Sequence, residues 1–97
     1  MKSIFIAFDQ ANLQNVQAAL SRSNVKGYTM VEQAQGSGSN GGEPHFGSHA
    51  WPGMNSAILT VVPDETVAPL LERLKQIDND NPLLGLRAFV WNIEQSI

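Results

Sequence analysis

The sequence contains no cysteine. Disulfides, thiolate nucleophiles and cysteine-ligated zinc are therefore excluded. Charge is sparse as well: Asp, Glu, Lys and Arg make up 15% of the chain, only six residues are Lys or Arg, and the formal net charge is −3. No basic block occurs, and phosphate backbones need clustered lysines and arginines, so a nucleic-acid partner is not expected. Long apolar runs are missing too. The five apolar residues from Ile4 to Phe8 are too few for a signal peptide or a spanning helix. A cytoplasmic protein without membrane insertion is expected. No nucleophile stands beside a base, and both histidines fall in one glycine-rich stretch. An enzyme is not expected; the rival class is a small dimeric isomerase or a cofactor-poor monooxygenase.

What is present reads as globular. An apolar fraction of 42% in 97 residues suits one domain over residues 1–97 with a real core. Lys2 to Phe8 is β-branched and aromatic and predicts a strand. Asp9 or Asn12 can cap the segment that follows, where Leu13, Val16 and Leu20 mark a helical stripe. Lys26 to Gln35 alternates as a half-exposed strand, with Tyr28, Met30 and Glu32 on one face. Asn55 to Val62 is a nearly continuous apolar strand of the kind buried on both sides. Pro63 ends it and Asp64 caps a second helix, whose stripe is Val67, Leu70, Leu71, Leu74 and Ile77. The run from Asp78 to Pro82 stops that helix, and Leu84 to Ile93 is the last strand.

The order βαββαβ describes an α+β, ferredoxin-like arrangement: a four-stranded antiparallel sheet with both helices on one face. The first and last strands are apolar on both sides. Ile4, Ile6 and Phe8 oppose Phe5 and Ala7; Phe89, Trp91 and Ile93 oppose Ala88 and Val90. A monomer would leave a large apolar patch on the helix-free face, so a closed oligomer that buries it is expected.

Between the second and third strands lies Gly36 to Met54, a 19-residue loop holding six of the eight glycines and both histidines. Loops longer than about 12–15 residues are usually functional or disordered. Glu43, His45 and His49 are of the right type to ligate zinc or divalent copper, since imidazole and carboxylate suit both ions. The plain alternative is a pair of solvated histidines. Phe46 and Trp51 are the aromatic candidates for contact with a partner; Trp51 can equally fold back to anchor the loop base.

Three pieces carry a family resemblance: GYTMVEQAQGSG before the loop, AILTVVPDETVAPLLERL after it, and RAFVWNIEQSI at the end. In order and element length the chain resembles the PII signalling proteins. The matching positions are Gly27, Thr29, Glu32, Gly36 and Gly38 at the loop entry, then Val62, Pro63 and Asp64, and finally Arg87, Phe89, Val90 and Glu94. The resemblance implies a homotrimer with three projecting T-loops and an effector site between subunits. In this chain, Thr29, Gly36, Gly38, Gly85 and Arg87 would bind an adenine nucleotide there. It also implies regulation of a membrane transporter or an enzyme through the T-loop. The chain departs from the family where Ser39 and Asn40 follow the Gly-x-Gly in place of Arg and Gln. It lacks the loop tyrosine, and its B-loop region retains only Gly85 and Arg87, which counts against ATP in the usual mode. The alternative reading is a metal-binding protein of this fold, serving metal homeostasis without a nucleotide site.

Overall fold

The computed structural model describes residues 1–34, 36–37, 44–45 and 55–97. Its elements follow the expected order, with two short strands, β3 and β4, added inside the loop: β1 (Lys2–Asp9), α1 (Leu13–Arg22), β2 (Thr29–Ala34), β3 (Gly36–Ser37), β4 (Pro44–His45), β5 (Asn55–Val62), α2 (Asp64–Asp80) and β6 (Arg87–Asn92). The main sheet has four antiparallel strands in the order β2-β5-β1-β6. This is the ferredoxin-like arrangement, with both crossovers made by helices. Among the described residues no helix is long and apolar enough to cross a membrane.

The core forms where the strands' alternation meets the helical stripes. Ile4, Ile6 and Phe8 of β1 and Ile58 of β5 are fully buried, against Val16 and Leu20 of α1 and Leu70 and Leu74 of α2. Each such side chain contributes about 1.5–3 kcal/mol on burial. Both helices thus lie on one face. β5 is not buried on both sides as its composition suggested. It alternates: Ser56, Ile58, Thr60 and Val62 are buried, while Leu59 and Val61 remain 44% and 45% exposed. Its apolar continuity reflects two different surfaces, one under the helices and one facing away.

Helix ends account for several differences from the sequence reading. Asp9 is the cap, its carboxylate accepting from the Ala11 amide at 2.8 Å at the head of a 3-10 turn over Gln10–Asn12. Asn12 makes no capping bond. α1 closes with Val25 N donating to Leu20 O at 2.9 Å while Asn24 takes a left-handed φ of 62°. Asparagine fills the place that glycine usually holds in such a cap.

Asp64 is not the cap of α2. Pro63 occupies that position in extended geometry, and Asp64 is the first helical residue. Its carboxylate lies 2.9 Å from the Met1 ammonium. α2 also runs three residues into the polar run, to Asp80, and tolerates Pro69 in its second turn. The last strand is shorter than expected because Pro82–Leu84 forms a 3-10 turn, after which Gly85 at φ 74° redirects the chain. Among the described residues nothing blocks a Cβ at Gly85, and the left-handed backbone is what calls for glycine.

Candidate functional site

The strands' register sets out the helix-free face row by row. Thr29, Leu59, Phe5 and Phe89 form one row across all four strands; Val31, Ala57, Ala7 and Arg87 form the next; Val61, Ser3 and Trp91 form a third. Phe89 is 57% exposed and Trp91 48%, with Phe5, Leu59, Val61 and Val31 also open. The face is a contiguous apolar surface with Arg87 at its corner.

The loop leaves and re-enters at one end of the sheet, through Ala34 and Asn55. Asn55 pairs with Asp9, and Arg87 with Ala7, so Gly85 and Arg87 lie at that same end. Two side chains secure the exit. Ser56 Oγ donates to the Glu32 carbonyl at 2.7 Å, and Gln10 Nε2 donates to the same oxygen at 3.1 Å. β2 slips its register between Val31 and Ala34 there, a bulge that turns the strand toward the loop. Within the loop, Gly36 pairs with His45 and Ser37 with Pro44 in a two-stranded ribbon, a pairing that the glycine-rich composition did not suggest.

Arg87 is the best-defined of the candidate effector residues. Its Nη1 donates to the Leu86 carbonyl at 2.8 Å and stands 3.7 Å from Asp78 Oδ2. Asp78 Oδ1 accepts from the Leu86 amide at 3.2 Å. One carboxylate in the last turns of α2 thus holds both the turn and the arginine. Sequence reasoning missed Asp78 because its run of polar residues reads only as a helix stop. Tyr28 lies just before β2, outside the strand expected to contain it, and accepts from Gln17 Nε2 at 3.5 Å.

The described candidates do not converge within one chain. Thr29 is on edge strand β2 and Arg87 on the opposite edge strand β6, with β5 and β1 between them. Three strand spacings put them about 15 Å apart. Gly36 enters only through its backbone pairing. Gly38, Glu43, Phe46, His49 and Trp51 lie outside the described residues, so the metal set of Glu43, His45 and His49 is not assembled by any described geometry. Among the described residues there is no group of three or more metal-ligating side chains.

Comparison with known proteins bears on this arrangement. The chain is similar to CPII, a nitrogen regulatory PII-like protein from Thiomonas intermedia K12, in a structure bound to ADP, AMP and bicarbonate. The TM-score is 0.79 at 29% identity, over 95% of this chain and 84% of that one. A CPII structure with ADP and bicarbonate gives 0.77 at 30% identity, with 95% and 84% covered. A protein from Thermus thermophilus described as PII-like and signaling gives 0.70 at 28%, with 95% and 85% covered. No curated protein matches the sequence. The family model for nitrogen regulatory protein P-II matches residues 1–97, and the chain therefore belongs to the P-II family.

Proposed function

We propose that this protein is a trimeric PII-like regulator in which an adenine nucleotide, bound between subunits, sets the conformation of the loop 36–54. That loop, acting as a T-loop, would control a transporter or an enzyme, and the role is regulatory rather than catalytic. The observation that carries the reading is the placement of Thr29 and Arg87 on opposite edges of the sheet. A nucleotide touching both must lie where β2 of one copy approaches β6 of another. The exposed apolar face beside Arg87 supplies the surface that such copies would bury.

The likeness to CPII, whose structures hold ADP, AMP and bicarbonate, favours a nucleoside mono- or diphosphate over ATP. It also agrees with the sparse basic residues, since a shorter phosphate chain needs fewer charge-assisted donors. The nucleotide acts by population shift: it stabilises one loop arrangement, and that arrangement alone docks to the partner. Light scattering combined with calorimetric titration of ADP, AMP and bicarbonate tests this reading. A trimer that binds ADP supports it. A monomer, or a trimer indifferent to all three ligands, overturns it.

A further inference from the structure

On the opposite side of the molecule, α1 and α2 border an open groove of about 300 Å³. It belongs to the helix face, so an oligomer that buries the apolar sheet face leaves it accessible. Two of the six basic residues in the chain line it, Arg22 from the end of α1 and Arg73 from the middle of α2. Arg73 Nη1 donates to Ser23 Oγ at 3.1 Å, which positions its guanidinium beside the C-terminal end of α1.

That bond also marks the register of the helices. The crossovers make α1 and α2 antiparallel, so moving along α2 from Arg73 toward Asp80 runs back along α1 from Arg22 toward Asn15. Both stretches span about 10 Å at 1.5 Å per residue. The groove is therefore polarised. Two guanidiniums occupy one end, Ala18 and Ile77 line the middle, and Asp80 and Asn81 occupy the other end. Gln76 Nε2 donates to Asp80 Oδ1 at 2.9 Å and fixes that carboxylate.

We propose that this groove binds a small dipolar metabolite. A carboxylate or phosphate would sit at Arg22 and Arg73, and a hydroxyl or ammonium group would donate to Asp80. The small Ala18 side chain leaves room for the ligand's body, and the planar guanidiniums match an oxyanion's geometry. In a chain of net charge −3, two arginines lining the same end of a groove supply local positive charge for an anion. The site is separate from the intersubunit position proposed for the nucleotide, so the protein would read two ligands.

The test is calorimetry and amide NMR on the full chain, with a panel of amino acids, hydroxy acids and sugar phosphates. Inorganic phosphate serves as the head-group control. The expected result is a panel member binding at least about tenfold tighter than inorganic phosphate, with shifts at the Ser23, Ile77 and Asn81 amides. Arg22→Gln should weaken it about tenfold, the scale of one charge-assisted contact. Asp80→Asn should weaken the dipolar ligand and leave inorganic phosphate unchanged. ADP titrations on the same variants should match the unmodified protein, which separates this site from the nucleotide reading. The proposal is overturned if no panel member binds, if inorganic phosphate binds as tightly as every panel member, or if affinity survives the Arg22→Gln/Arg73→Gln double change.

Discussion

Asp78 and Arg87 grip each other across the turn that joins α2 to β6, with Arg87 Nη1 3.7 Å from Asp78 Oδ2 while Oδ1 holds the Leu86 amide at 3.2 Å. The pair is partly open to water, with the arginine side chain 52% exposed. Surface pairs of this kind contribute about 0–1 kcal/mol. Its value is positional: it keeps a guanidinium at the loop-bearing end of the sheet, aimed from the edge where a second copy is expected.

If Arg87 serves the nucleotide, Arg87→Gln should reduce ADP affinity by about tenfold or more, the scale of a charge-assisted contact. Asp78→Asn should cost less affinity, about threefold to tenfold, because the arginine remains but is less well held. Both variants should keep the melting temperature within a few degrees. Calorimetric titration and a thermal melt on each variant decide the matter; unchanged ADP affinity in Arg87→Gln removes the residue from the site.

The helix-free face should prove to be the assembly surface. Phe89 sits in the row Thr29, Leu59, Phe5 and Phe89 and is 57% exposed in the single chain. Phe89→Asp therefore leaves the monomer's own core untouched but places a charge within any interface built on this face. Light scattering should register a fall from the assembled mass to the monomer, with the far-ultraviolet circular dichroism unchanged. Persistence of the assembled mass would mean that another surface mediates it.

Asn12 is 1% exposed, and its Nδ2 has no hydrogen-bond partner among the described residues. Its Oδ1 receives one long bond of 3.4 Å from Asn15. A buried donor left unpaired costs about 1–3 kcal/mol. Asn12→Leu, which keeps the same heavy-atom branching, should raise the unfolding free energy by about 1 kcal/mol in urea titration, whereas Leu70→Ala in the core should lower it by about 2–5 kcal/mol. A clear loss of stability in Asn12→Leu would show that the amide has a partner in solution.

Acid should loosen the junction of the N-terminus with α2. The Asp64 carboxyl is held below its ordinary value of 3.8, first by its hydrogen bond to the N-terminal ammonium, then by that group's charge, with Lys2 adding to the attraction. The folded-state value is depressed, so the stabilisation is present above about pH 4 and is lost as pH falls through the lower folded value. The Asp64 side chain is 65% exposed, so the effect is small and screened by salt. Urea midpoints of the protein and of Asp64→Asn should differ slightly at pH 7 in low salt and converge near pH 2. A gap that is constant across that range would rule out the ion pair as its cause.

Much of the architecture was legible in residue order because it rests on local periodicity. The stripe of Leu70 and Leu74, the alternation of Ile4, Ile6 and Phe8, and the break at Pro63 each state an element and the face it buries. The site was less legible. Thr29 and Arg87 share a likeness to one family, but nothing in their spacing says that two strands separate them. Asp78 was hidden because an ion pair between a helix end and a strand start leaves no periodic trace. Asp64 was misread as a cap because Pro63 has a backbone that can itself begin a helix.

The sequence by itself determined the main elements, their order, the shared core and the absence of cysteine-based chemistry, since these follow from side-chain type and from periods of two and 3.6 residues. Only the tertiary structure decided which apolar residues remain uncovered, that Gly85 and Arg87 lie at the loop-bearing end, and that Arg22 and Arg73 border one groove. Those relations depend on strand order, register and helix packing, which join residues tens of positions apart and are settled by the fold as a whole.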